Sequence, residues 1–366
     1  MRRSLPWIRR HGARYAGALG AAAVGVSSAA TIVMERWNGD DIRELGPRHS
    51  VLALLGSKLK PMRAHANPAA VPSLDPVRPK PSDVNPDLAL TRAKGYYPSL
   101  QDDSLYAKFC QAAVFGILGT TSYVFMHYLN DTKITNNQQL TDAVYKRNKK
   151  FEGRGLITVS NHVSAFDDPL LPSAMWSIPR FLSPKELRYV FCLTDRCFNK
   201  WWKGRMLTSA KVVPVERGAG LDQFAMRYAR QKLEHGDWIH LYPEGTRSRD
   251  GGKTVRPFKI GVGKLVLDST VPPAVIPFYH TGMHKVLPVK AKSLRTGNQI
   301  HIMVGDPIFF DKAIEDHRKR GSTDMEIMID ITKQCEIALR ELQIRAHEIQ
   351  PHPDEESVAE PVERAA

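Results

Sequence analysis

Residues 155–169 read GLITVSNHVSAFDDP, and this stretch decides the fold. From Gly155 to Ser160 it is short, apolar and rich in β-branched side chains behind a glycine, which reads as a buried strand. Asn161 and His162 then stand just past the strand's carboxyl end, where open α/β sheets place their chemistry. Asp167 follows five residues after His162. Five residues of regular helix turn through about 500°. The two side chains therefore meet only if His162 lies in the entry turn and Asp167 folds back from the first helical turn. There the aspartate accepts Nδ1–H, fixes the imidazole tautomer and leaves Nε2 as a general base. The same spacing also fits a capping aspartate beside a solvated loop histidine, so the pair alone does not decide the chemistry.

Working outward, three more apolar runs end in polar turns: VVPVERG at 212–218, LYPEGTRS at 241–248 and VIPFYH at 275–280. Strands are expected at 238–242, 274–278 and 300–304. Helices are expected at 137–150, at 221–234 (Leu221, Phe224, Ala225 and Tyr228 at helical spacing, Gly236 as stop) and at 259–268. Thr323 and Glu326 form a capping box that opens a long helix to about His347. Strand and helix in alternation predict an α/β fold, a sheet covered by helices.

The net charge is +14, with 11 Lys/Arg against four Asp/Glu in residues 1–65 and five acids against one Arg in 351–366. A basic body suits an anionic partner. The sequence has no zinc-ligand spacing, no RNA-recognition aromatics and no repeated basic helix. It therefore points to an anionic membrane and to no nucleic acid. Arg2, Arg3, Arg9, Arg10 and Arg14 precede the first acid, Glu35. This is the composition of an organellar targeting or anchor segment over 1–65, with a mildly apolar run at 15–34. Prolines such as Pro68, Pro72, Pro76, Pro79, Pro81 and Pro86 make 66–100 a disordered linker. The main domain is expected at 101–350, with an acidic disordered tail at 351–366. Residues 109–129 hold no Asp, Glu, Lys or Arg. They read as a membrane-embedded segment that does not span, or as a packed core helix. Aromatics alternate with Lys and Arg over 181–207, which fits a bilayer interface or an ordinary layer over the sheet. Cys110, Cys192, Cys197 and Cys335 fit neither a disulfide framework nor a metal site and are expected to be reduced.

The four blocks, in this order, span roughly residues 155–310 and resemble those of the glycerolipid acyltransferase superfamily. HGDWIHLYPEG at 235–245, PFYHTGMHKVLP at 277–288 and GNQIHIMVGDP at 297–307 narrow the resemblance to the tafazzin family, while Thr246-Arg247-Ser248 follows the general superfamily ending. The resemblance implies the sheet-and-helix fold of those enzymes and a catalytic His162–Asp167 pair. It further implies a substrate site of Asn161, Arg217, Glu244, Gly245, Arg247 and Pro277, with no metal and no cofactor. It implies a membrane-bound transacylase that moves acyl chains between phospholipids and lysophospholipids without coenzyme A, cardiolipin-type, at a mitochondrial membrane. The alternatives are an acyl-CoA-dependent lysophospholipid acyltransferase, an N-acyl-phosphatidylethanolamine synthase, or a non-enzymatic membrane-binding protein. Backbone N–H groups at Gly245 or after His162 are the expected oxyanion donors. No Gly-x-Ser-x-Gly elbow surrounds Ser164, which argues against a serine hydrolase.

Overall fold

The computed structural model describes residues 104–349 apart from 147, 148, 289, 290 and 292. The expectations for 1–65, 66–100 and 351–366 lie outside these residues.

Helix α1, Leu105–Tyr128, begins at Ser104, whose Oγ accepts the Ala107 N–H at 3.1 Å. Phe115, Gly119, Ser122 and Met126 are buried and recur every three or four residues, so one narrow stripe faces the protein. The helix meets residues 178–182 closely, because a Cβ on Gly119 would stand 2.5 Å from the Phe181 ring. Its outer face stays apolar and uncovered: Leu105, Phe109, Ile117 and Tyr128 are all exposed. The helix is long and apolar enough to cross a bilayer, and only 22% of its most apolar stretch is buried in protein.

After α1 come β1 (Asp131–Thr135), α2 (Gln138–Val144), β2 (Leu156–Ser160) and α3 (Asp167–Ala174). They are followed by β3 (Tyr189–Leu193), α4 (Thr194–Cys197), α5 (Trp201–Ser209) and β4 (Val212–Val215). Then follow α6 (Phe224–Glu234), β5 (Trp238–Leu241), α7 (Gly261–Asp268), β6 (Ala274–Thr281), α8 (Met283–Val286), β7 (Gln299–Val304), α9 (Asp311–Lys319) and α10 (Asp324–Ile349). The capping box opens α10 as expected, with Thr323 N–H bound to Glu326 Oε2 at 2.8 Å and Glu326 N–H to Thr323 Oγ1 at 3.3 Å.

The seven strands form one sheet in the order β1-β7-β6-β2-β5-β3-β4. Every neighbouring pair is parallel except β6 and β7. The strands β6, β2, β5, β3 and β4 therefore end on the same side. Alternation along each strand separates the two faces. Ile157, Val159, Ile239 and Val275 pack with α6, α7 and α10 through Phe224, Ala225, Tyr228, Leu265, Ile327 and Ile331. Helices α7 and α10 approach so closely that a Cβ on Gly263 would stand 2.1 Å from the Met328 carbonyl. The opposite face carries Thr158, Ser160, Trp238, His240, Phe278 and His280. Trp176, just past α3, packs edge-on against Trp238 there.

Several expectations are corrected. Strands β1 and β3 and helix α9 were not anticipated, and the helix expected over 137–150 is shorter, ending at Val144. The 181–207 stretch is partly interior. Phe181, Tyr189, Val190, Phe198 and Leu207 are buried, and Leu182 and Trp201 are its exposed large hydrophobic residues. Two of its cations, Arg188 and Lys203, are buried and tied down in place, which fits a layer over the sheet, while Lys185 and Lys200 stay exposed. Arg188 pairs with Asp168, and the Lys203 ammonium donates to the Arg196 carbonyl; just beyond the stretch, the Lys211 ammonium donates to the Leu187 carbonyl. Cys192 and Cys197 are joined in a disulfide rather than reduced: β3 turns straight into α4, bringing their Cα atoms to 6.2 Å.

Candidate active site

Strand β2 ends at Ser160, and the chain turns through Asn161 and His162 before α3 begins at Asp167. The turn supplies the fold-back that helical spacing forbids. His162 Nδ1 lies 2.8 Å from Asp167 Oδ2. The same oxygen accepts the Val163 and Ser164 N–H groups at 2.7 and 2.9 Å. An ionised carboxylate is acceptor only, so Nδ1 carries the proton and Nε2 is left with its lone pair. Asp167 is fully buried, whereas the His162 side chain is 20% exposed. Burial would push the Asp167 carboxyl up, but His280, His162 and the Ser164 N–H outweigh it and hold the pKa below the ordinary value. The stabilisation this carries is present above about pH 4 and is lost as pH falls through the lowered folded value.

The main chain of His162 is clamped from the next strand. Its N–H donates to Glu244 Oε1 at 3.2 Å, and its carbonyl accepts the Ser248 N–H at 2.7 Å. Glu244 Oε2 accepts the Arg256 N–H at 3.1 Å. Burial raises the Glu244 pKa, opposed by these two backbone bonds. The Tyr242 ring stacks on the imidazole with centroids 4.1 Å apart. The turn after β5 thus fixes the plane and backbone of the base.

A second support comes from β6. The Asn161 amide donates to the His280 carbonyl and accepts its N–H, both at 3.0 Å. His240, on β5, is held by Thr158 Oγ1 at 2.8 Å, and that hydroxyl also accepts from Trp238 Nε1 at 2.8 Å. Burial pushes the His240 pKa down to about 3, so it is neutral. Beyond Asp167, Asp168 is paired with Arg188, whose Nε donates to Oδ1 at 2.6 Å. Arg188 lies over the Phe115 ring at 5.5 Å, linking α1 to the α3 start.

The structure brings Asn161, His162, Asp167, Glu244 and Gly245 together. Asn161 and Glu244 spend their polar atoms on backbone, so what the geometry gives them is support. Gly245 has φ +67°, and a Cβ there would stand 2.6 Å from the Lys259 ammonium. The left-handed φ favours glycine there, and the Lys259 side chain would have to move for any other residue. Arg247, partly exposed, lies beyond β5, and Arg217, exposed, lies beyond β4 at the same end of the sheet. β3 stands between those strands, so their axes are about 10 Å apart at ~4.8 Å per step. Pro277 is not at the mouth. It is buried within β6 opposite Val159, its ring occupying the space a Gly305 side chain would need. Both expected oxyanion sources are engaged elsewhere: the Gly245 N–H donates to the Tyr242 carbonyl, and the Val163 and Ser164 N–H groups serve Asp167.

Sequence reasoning missed Tyr242, Ser248, His240, His280 and Arg188. One signal was available. His240 and His280 each interrupt an apolar run near a strand's carboxyl end, on the sheet face that His162 caps. The 252–258 loop was missed too. The Tyr279 hydroxyl donates to the Gly252 carbonyl at 2.7 Å, and Gln343 and Glu336 of α10 hold the Lys253 carbonyl and the Phe258 N–H at 2.8 and 2.9 Å.

Comparison with known proteins agrees with this architecture. An acyltransferase family model matches residues 133–281, which takes in every strand from β2 to β6. A Drosophila melanogaster tafazzin is 30% identical over 254 residues, 69% of this chain and 66% of the relative. An Arabidopsis thaliana N-acylphosphatidylethanolamine synthase is 32% identical over 188 residues, 50% and 64% respectively. The chain thus spans just under two thirds of the length of these two relatives. A Dictyostelium discoideum tafazzin is 30% identical over 229 residues, 59% of this chain and 77% of the relative. With the paired histidine and aspartate at the end of β2 and more than three quarters of a relative matched, the chain belongs to the tafazzin family of acyltransferases.

Proposed function

We propose that this protein is a membrane-bound transacylase that moves a fatty acyl group from a phospholipid to the hydroxyl of a lysophospholipid. The observation that carries the reading is His162 itself. Its Nδ1 is committed to the buried Asp167 carboxylate, and its partly exposed side chain follows the carboxyl end of β2. Nε2 takes the proton of the lysolipid hydroxyl as its oxygen bonds to the donor's acyl carbonyl carbon. The tetrahedral intermediate collapses, the bond to the donor's glycerol oxygen breaks, and the imidazolium returns its proton to that oxygen. One ester is lost and one is made, so the exchange needs no thioester. Asp167 stabilises the imidazolium throughout. Arg247 and Arg217 at the same sheet end are the groups we assign to lipid phosphate, which arginine binds bidentately.

The uncovered apolar face of α1 supports contact with a bilayer, where both lipids already reside. Phospholipids and lysophospholipids are the partners this reading requires, in a cardiolipin-type exchange at a mitochondrial membrane. The arginine-rich, acid-poor start of the chain supports that address. A fluorescent protein fused behind residues 1–65 is expected in mitochondria. Retention in the cytosol or the endoplasmic reticulum would refute it.

The likeness to an N-acylphosphatidylethanolamine synthase favours one other acceptor, an amine. The test is purified full-length protein in vesicles that hold labelled phosphatidylcholine, phosphatidylethanolamine and a lysolipid. Label is expected in the re-acylated lysolipid without any acyl-CoA. Transfer only after acyl-CoA is added, or label on the ethanolamine nitrogen, sinks the transacylase reading.

A further inference from the structure

His280 lies on β6 with its imidazole fully buried, on the same sheet face as the base. Its Nε2 is 3.0 Å from the Asn161 carbonyl oxygen and 3.8 Å from Asp167 Oδ2. The carbonyl only accepts, so Nε2 carries the hydrogen. Nδ1 is then a bare acceptor, and it is buried without a hydrogen-bond partner. Leaving that nitrogen unpaired costs stability, which an apolar side chain of similar shape would avoid. The cost is not needed to hold β6 to β2, because the Asn161 side chain already bonds the His280 backbone in both directions. What only the imidazole adds is an N–H bonded to the Asn161 carbonyl, with its dipole standing 3.8 Å from the one carboxylate oxygen that orients His162.

We propose that His280 is a positioning residue for the His162–Asp167 base, its Nε2–H keeping the buried carboxylate oriented and anionic. This rests on the reading of His162 as a general base. Burial keeps His280 itself below the ordinary histidine pKa, so it offers a dipole rather than a full positive charge. The titratable groups acting on it are Asp167 and His162 from the turn after β2 and His240 from β5. Across the β7 edge its register partner is the apolar Ile302.

The sign of the effect follows. Without the Nε2–H the Asp167 carboxylate becomes more basic, the His162 imidazolium is better stabilised, and the apparent pKa of the pair rises. The acid limb of the kcat/KM profile reports that value and moves to higher pH.

The experiment compares His280→Gln, His280→Asn and His280→Phe in the full chain, in vesicles, from about pH 5 to 9. Glutamine places an amide N–H near the Nε2 position, whereas asparagine places it near Nδ1. His280→Gln is expected to keep turnover within about threefold, with the acid limb in place. His280→Asn and His280→Phe are expected to lose about ten- to a hundredfold and to shift the limb up by about one pH unit. Should His280→Phe fail to fold, the glutamine–asparagine pair carries the same contrast. Equal losses in all three, or lost turnover with an unmoved limb, overturn the proposal and leave His280 a packing residue. The profiles are recorded with diacyl phospholipid or with acyl-CoA, whichever supports wild-type turnover, so dependence on a thioester counts against the transacylase reading alone. No turnover with either donor removes the base that His280 is proposed to serve.

Discussion

His162→Ala lowers acyl transfer by about 10²–10⁴-fold while the protein stays folded and membrane-bound. That range is what a well-placed general base ordinarily contributes. The fold is expected to survive because the imidazole is 20% exposed, and the clamps on this residue are its backbone N–H and carbonyl, which alanine retains. Asp167→Ala loses comparable activity but is the less clean experiment. It strips the partner from the Val163 and Ser164 N–H groups as well as from His162. Initial rates in vesicles, normalised to membrane-bound protein, decide the matter. More than about a tenth of wild-type turnover in His162→Ala excludes it as the base.

The second large effect is on stability. Arg188 is 4% exposed and its partner Asp168 17% exposed. Arg188→Leu leaves the largely buried carboxylate uncompensated, which costs up to about 3–5 kcal/mol, whereas replacing both partners with apolar residues is far milder. Arg188→Leu is therefore expected to lower the denaturation midpoint much more than the double variant Arg188→Leu/Asp168→Leu, measured by urea unfolding in detergent. Equal losses in the two proteins contradict this account of the pair. Activity should fall along with stability, because Asp168 is the neighbour of Asp167 at the start of α3.

Much of the fold was legible in the sequence, for physical reasons that vary by element. Strand β2 stands out because it is buried on both faces, as continuous β-branched runs are. Helix α10 stands out because its capping box is local. Strand β3 was hidden, since Lys and Arg beside aromatics read as an interface when their partners are far away in sequence. Asp168 is 20 residues from Arg188. The reversed direction of β7 was also unreadable. It is accompanied by a close approach at Gly282, where a Cβ would stand 2.1 Å from the Gln299 carbonyl. Nothing in local composition encodes that contact.

The site divides the same way. His162 and Asp167 are five residues apart, and their meeting could be reasoned from turn geometry. The roles of Glu244 and Asn161 could not. In the sequence they look like groups for a substrate, but Glu244 Oε1 and the Asn161 amide bind backbone 82 and 119 residues away. Tyr242 and His280 were invisible because strand alternation gives a face, not a contact.

The most direct test of the central claim is the molar balance of a single exchange. Full-length protein is placed in vesicles of phosphatidylcholine and lysocardiolipin with no thioester, and every lipid product is counted by mass spectrometry. Transacylation through His162 predicts one lysophosphatidylcholine for each acyl chain gained by the acceptor, no free fatty acid, and neither product with His162→Ala. Free fatty acid in place of re-acylated acceptor, or no product until acyl-CoA is supplied, contradicts it.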